Sequence, residues 1–157
     1  MITTKFLLWF SAIGCGLLAG TYFAFSTFIM TALGRIEPFH AISAMKSINS
    51  RILRSLFMPL FFGTTVASAV LAIIGLLRRG QPGGTAMVAG GLIYVVGMFV
   101  CTVFFNVPLN NALGSAAGEA SASIWARYLK EWTMWNHVRT ISSAAACALY
   151  IRAIASQ

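Results

Sequence analysis

The stretch Trp132-Thr-Met-Trp135-Asn136-His137-Val-Arg139-Thr140 comes directly before an apolar run that is long enough to cross a bilayer. It combines two indoles, an amide, an imidazole and a guanidinium. On a helix, Trp132, Trp135/Asn136 and Arg139 share one face, because they are spaced i, i+3/i+4 and i+7. A charge at membrane depth is costly, so Arg139 predicts a partner, a water-filled cavity or a ligand.

The composition around this stretch is that of an integral membrane protein. Of 157 residues, 59% are hydrophobic and only 9% are charged, which is too little charge to cover a soluble surface. The net charge of +8 does not indicate nucleic-acid binding, because the basic residues are scattered among apolar segments without forming a basic stripe. They are typical of helix ends facing anionic lipid, so the expected partner is the lipid bilayer, which would be the cytoplasmic membrane in a bacterium.

Four apolar runs reach the roughly 20 residues that a membrane span requires. The predicted spans are about 6–33, 52–77, 85–107 and 135–154. After Pro38, apolar residues recur at helical spacing and lead into the second span. The sequence therefore predicts an all-α protein, a four-helix transmembrane bundle in a single domain over 1–157, with an amphipathic interfacial helix before the second span.

Cysteine and glycine spacings indicate packing rather than chemistry. Cys15, Cys101 and Cys147 lie in different apolar runs, without a C-x-x-C or zinc-type spacing, so no metal site is predicted. Gly16-Leu-Leu-Ala-Gly20 is a GxxxG motif, which lets another helix approach closely, within the bundle or between copies. Homo-oligomerisation is left open, and so is the orientation in the membrane, because the basic residues of the two faces argue in opposite directions.

The predicted topology gathers polar residues at one end of the bundle. In an up-and-down bundle, the end of span one, the start of span two, the end of span three and the start of span four lie at the same membrane face. Amide, indole, imidazole and guanidinium groups concentrate at those places: Asn49, Asn106, Asn110, Trp132, Trp135, Asn136, His137 and Arg139. We therefore predict a shared polar pocket there.

Three motifs in chain order resemble the anthrone oxygenase-like family of small four-span membrane proteins. They are Met45-Lys-Ser-Ile48-Asn49, Asn106-Val-Pro108-Leu109-Asn110, and Trp132-x-x-Trp135-Asn136-His137-x-Arg139-Thr140. The stretch Phe25-Ser26-Thr27-Phe28-Ile29-Met30 also fits, whereas Thr31 stands where proline is expected. Many bacterial members have no assigned substrate.

The resemblance implies a cofactor-independent oxygenase that uses molecular oxygen as co-substrate. Fungal members oxidise an anthrone, which is planar, apolar and weakly acidic, to an anthraquinone. By this resemblance, Arg139 and the amides of Asn106, Asn110 and Asn136 would stabilise an enolate oxygen. His137 would be the general base, although its spacing turns it away from Arg139 on a regular helix. Trp132 and Trp135 would stack on the aromatic substrate, and Asn49 would complete its binding site.

Two other classes of protein fit the sequence. One is a non-enzymatic carrier, scaffold or partner subunit that binds a lipid or hydrophobic ligand, which the lack of an acid–base pair favours. The other is a haem subunit with His40 and His137 as ligands, for which no second-shell acid is present.

Overall fold

The computed structural model describes residues 2–116 and 121–156, and within those ranges all regular structure is helical. Helix α1 covers 2–33, and α4 covers 84–114; both contain π-helical turns. The other helices are α2 (Pro38–Ile52), α3 (Phe57–Leu77) and α5 (Ser121–Ala155). Helices α1, α3, α4 and α5 are each long and apolar enough to cross a membrane. The predicted all-α, four-span fold is thereby confirmed.

Helix α2 is amphipathic, as its sequence pattern predicts. It buries Ala41, Ile42 and Met45 on one side, while Phe39 and His40 are exposed. Proline fits at the first position of this helix, since its missing N–H would have no intrahelical partner there. Helix α2 packs against α5 and the end of α4, and therefore lies over the end of the bundle where the polar residues were expected.

The observed helix boundaries differ from the predicted spans in three places. The second span begins at Phe57, because residues 53–56 form a turn after α2. The third continues beyond residue 107 to Gly114, and the fourth begins at Ser121 as one helix of 35 residues. The small and polar residues of 112–123 predict a loop, but 112–114 and 121–123 are helical, and residues 117–120 lie outside the described residues.

Three π-helical turns interrupt the described membrane helices: Phe25–Ile29 in α1, and Val95–Val100 and Thr102–Asn106 in α4. The last of them immediately precedes Pro108, which lies in the first turn of the α-helical segment Val107–Gly114. A proline inside a helix removes one backbone hydrogen bond. The π-helical turn, which is wider than an α-helical turn, lies before Pro108, and the chain remains helical on both sides of the proline.

Glycines bring α3 and α4 close together near the loop that joins them. A Cβ atom on Gly75 would lie 2.6 Å from the carbonyl oxygen of Gly84, and one on Gly91 would lie 2.5 Å from that of Ser68. In the GxxxG motif, by contrast, a Cβ on Gly16 would make an ordinary 3.7 Å contact with the Cys147 sulfur, and Gly20 has open space around it. The tightest helix contact of the described bundle is therefore not at the motif that the sequence suggests.

We expect Gly91→Ala to lower the thermal unfolding midpoint of the detergent-purified protein. The added methyl group would meet backbone atoms of α3 rather than a flexible side chain, and such overpacking typically costs about 1–3 kcal/mol. Gly20→Ala is the matched control, because the same methyl group has room there. Equal midpoints for the two variants would contradict the close packing of α3 on α4.

Candidate functional site

A cavity of ≈ 220 Å³ lies beneath α2, and every described helix contributes to its wall. The wall is mostly apolar and aromatic, with Met45, Ile48, Phe57, Phe61 and Phe99 among its residues. The polar residues of the wall are Thr21, Tyr22, Asn49, Thr102, Asn110 and Arg139. Apolar walls with a few convergent polar groups are typical of small-molecule sites.

Arg139 supplies the positive charge of the cavity. Its side chain is only 5% exposed, and Nη2 donates a 2.6 Å hydrogen bond to Asn136 Oδ1. The guanidinium carbon lies 4.4 Å from the centre of the Tyr22 ring and 5.0 Å from that of Trp132, so two aromatic faces stabilise the cation. Its Nε has no hydrogen-bond partner among the described residues.

No carboxylate neutralises Arg139 within the described part of the chain. The ion pair found there joins Arg127 Nε to Glu131 Oε1 at 3.0 Å on the exposed side of α5, where the i, i+4 spacing brings the two side chains together. A buried charge without a counter-ion is costly. Arg139 therefore has unused capacity for an anionic or strongly polar oxygen.

Asn136 holds the guanidinium in place and is itself fully buried. While its Oδ1 accepts from Arg139, its Nδ2 donates 2.7 Å hydrogen bonds to the Tyr22 carbonyl oxygen and to Ser26 Oγ. The two acceptors on α1, Tyr22 and Ser26, lie just before and within its π-helical turn. Both polar atoms of the Asn136 side chain are hydrogen-bonded, and the residue does not line the cavity. Asn136 therefore positions the Arg139 guanidinium.

Tyr128 links the two cavity amides of α2 and α4. Its hydroxyl donates to Asn110 Oδ1 at 2.7 Å and accepts a long hydrogen bond of 3.5 Å from Asn49 Nδ2. The Tyr128 side chain is buried and stacks between Trp125 and Trp132, with ring centres 5.7 and 5.6 Å apart. This network attaches α2 to the rest of the site.

Trp132 lines the cavity, whereas Asn106 lies behind it. The Trp132 ring meets Phe25 edge-on at 5.7 Å, and its backbone carbonyl accepts a 3.2 Å hydrogen bond from Asn106 Nδ2. Asn106 is fully buried, is not part of the cavity wall, and its Oδ1 has no partner in the described ranges. It therefore positions Trp132 and does not reach a ligand in this structure.

Trp135 and His137 are not among the residues that line the cavity. The Trp135 ring stacks on Phe105 with ring centres 3.7 Å apart, which explains its apolar environment without a ligand. His137 is exposed, as is His40, which the haem hypothesis pairs with it. The structure thus brings together Asn49, Asn110, Trp132 and Arg139 and places Asn136 and Asn106 behind them.

Sequence reasoning did not identify Tyr22 or Tyr128 as site residues. Tyr22 is buried and covers one face of the Arg139 guanidinium. It lies three and four residues before Phe25 and Ser26, so helical spacing placed it on the same side as that motif. Tyr128 could have been found from its spacing of four residues from Trp132, which places the two side chains next to each other on one helix face.

The fold and the cavity define a class: a protein with four helices long and apolar enough to cross a membrane, and with a mostly apolar cavity whose wall includes the buried cation of Arg139. The sequence model of the anthrone oxygenase family matches residues 53–149, more than half of the chain, and the protein therefore belongs to the anthrone oxygenase family. This confirms the resemblance found in the motifs. No curated protein and no solved structure matches the chain.

Proposed function

We propose that this protein is a membrane oxygenase that oxidises an anthrone-like or other phenolic aromatic molecule with molecular oxygen, without an organic or metal cofactor. The observation that carries the proposal is the buried Arg139, which has no counter-ion among the described residues, in the wall of an apolar, aromatic cavity. A dry cavity of roughly 150 Å³ is known to hold benzene. The ≈ 220 Å³ here, which is partly open, suits a larger fused-ring compound.

The reaction balances as anthrone plus O2 giving anthraquinone plus water. Loss of a proton from the ring CH2 gives an enolate, whose oxygen would accept hydrogen bonds from Arg139. The electron-rich ring carbon reduces O2 and forms a C–O bond to it, and after protonation the hydroperoxide loses water to leave the second carbonyl. Arg139 would act where negative charge develops, which is the most effective place for a fixed cation.

The described cavity wall contains no His, Asp, Glu or Lys that would act as a base. In the proposal water in the cavity therefore takes the proton and later returns it to the peroxide anion, and the guanidinium favours the ionised substrate. His137 is not given the role of general base, because it is exposed and lies outside the wall. Asn49, Asn110 and Trp132 line the cavity and would bind the substrate. In a bacterium, the bilayer around the protein would be the cytoplasmic membrane.

We expect purified protein in nanodiscs to convert anthrone to anthraquinone with one atom of 18O2 in the new carbonyl group and the other in water. Mass spectrometry of the quinone, corrected for the protein-free reaction, measures this. The control is the same preparation with Arg139→Met. Quinone formation equal to that of empty nanodiscs would reject the oxygenase.

The absence of a base among the described wall residues also favours a second candidate, a non-enzymatic carrier of the same ligands. A carrier would bind an anthrone-like molecule stoichiometrically and return it unchanged. Binding without 18O incorporation would decide for this function.

A further inference from the structure

The cavity opens through the side of the bundle, beside the start of α3. Four residues of its wall are also among the exposed apolar residues: Leu53 at 64%, Phe62 at 50%, Val103 at 43% and Val107 at 40%. A side chain that lines a cavity and is also exposed lies at its rim. We call this rim the lipid-side gap, because Phe62, Val103 and Val107 lie on helices long and apolar enough to cross a membrane and all four rim side chains are hydrocarbon. Leu53 lies in the turn just before α3.

The gap arises from the way α3 and α4 diverge. Near their connecting loop, Gly75 and Gly91 allow the two backbones to touch. Further along, three aromatic rings lie between the helices: Phe99 of α4 meets Phe61 at 5.7 Å and Phe62 at 6.3 Å.

On the far side of these rings from the connecting loop, α3 extends for only about one more turn, back to the residue where it begins. Its first residue is Phe57, preceded by the exposed turn 53–56, so little of α3 remains to cover the second π-helical turn of α4. Val103 and Val107, one helical turn apart, are left beside an open space.

We propose that the ligand reaches the cavity sideways from the hydrocarbon core of the bilayer, through the lipid-side gap, with its polar oxygen directed toward Arg139 and its apolar part trailing into lipid. The inference takes its ligand class, an apolar phenol or enol, from the proposed function. The opposite path, through the headgroup layer, is obstructed by α2, which the Asn49–Tyr128–Asn110 hydrogen bonds attach to the bundle. An apolar ligand dissolved in lipid would cross no polar barrier at the gap.

The test uses a Val→Trp substitution at the gap and the same substitution elsewhere on α4. Val103→Trp narrows the gap, whereas Val96→Trp adds the same indole at an exposed position that does not line the cavity. The probes are 2-naphthol and 2-naphthol with a dodecyl chain at C6, each bound to the protein in nanodiscs. Stopped-flow fluorescence, which distinguishes naphthol from naphtholate, gives the association and dissociation rates without requiring turnover.

We expect both probes to bind the wild-type protein, because the dodecyl chain can remain in the bilayer. Val103→Trp should slow association and dissociation by about tenfold each, as hindered access does, and change Kd by less than about threefold. Val96→Trp should match the wild-type protein. Retained binding without any anthrone oxidation would reject the oxygenase and leave the lipid-side gap supported.

Three outcomes would overturn the inference. The first is equal rates for Val103→Trp and Val96→Trp. The second is binding of 2-naphthol but not of its dodecyl derivative, which indicates a path from the aqueous side. The third is failure of both probes to bind the wild-type protein, which removes the cavity itself as a site for phenols.

Discussion

Replacing Arg139 by methionine is expected to abolish anthrone oxidation while leaving the protein at least as stable as the wild type. Loss of a single donor to a developing oxyanion typically lowers kcat by about 10²–10³. The stability effect has the opposite sign, because the change removes a buried guanidinium that has no counter-ion among the described residues. Apolar replacement of buried ion pairs is often neutral or stabilising by about 1–4 kcal/mol, and a gain of this kind offsets the cost of about 1–3 kcal/mol for leaving Asn136 Oδ1 without its donor.

Arg127→Met is the matched control for this prediction. It makes the same substitution on the same helix, but at an exposed arginine paired with Glu131, where ion pairs contribute at most about 1 kcal/mol. Its turnover and unfolding midpoint should match those of the wild-type protein. Arg139→Lys keeps the positive charge, and we expect it to retain part of the activity. A large drop in midpoint for Arg139→Met alone would instead make Arg139 a structural residue.

Asn136→Ala should cause the largest loss of stability among substitutions at the site. It deletes three hydrogen bonds of 2.6–2.7 Å and leaves the Tyr22 carbonyl and the Arg139 guanidinium without this partner in the membrane interior. Each orphaned buried group costs about 1–3 kcal/mol, so the total for the two groups is on the order of 2–6 kcal/mol. The unfolding midpoint in detergent, followed by circular dichroism, measures it.

Asn106→Ala provides the comparison, because Asn106 is equally buried but its side chain makes one hydrogen bond within the described residues, of 3.2 Å to the Trp132 carbonyl. We expect a loss of roughly 1 kcal/mol for that bond and reduced turnover through displacement of Trp132. Equal midpoints for the two alanine variants would show that Asn136 does not hold α1 and α5 together. Partial rescue by Asn136→Gln, which keeps the amide, would support its positioning role.

The gathering of polar groups at one end of the bundle could be predicted because it depends only on topology. Asn49, Asn110 and Arg139 come from different helices, and an up-and-down connection brings their helix ends to one membrane face whatever the packing details. The i, i+3 relation between Asn136 and Arg139 also transfers directly from spacing to contact, since a regular helix determines it.

The orientation of individual side chains was harder to predict where helices are irregular. Asn106 and Asn110 are four residues apart and would share one face of a regular α-helix, but Asn106 ends a π-helical turn, and of the two only Asn110 lines the cavity. Trp135 fits the motif face equally well, yet its ring stacks on Phe105. Periodicity cannot distinguish a ligand-facing indole from one that fills a helix–helix contact, because both positions are apolar.

For the proposed oxygenase, the lipid-side gap would also determine how the second reactant, molecular oxygen, arrives. Oxygen is a small apolar gas and dissolves better in hydrocarbon than in water, so the bilayer beside Val103 and Val107 is enriched in it. A reaction chamber open to that layer draws both of its reactants from the same reservoir. An oxygenase of this design would depend less on the dissolved gas of the cytosol than on the composition and thickness of the membrane around it.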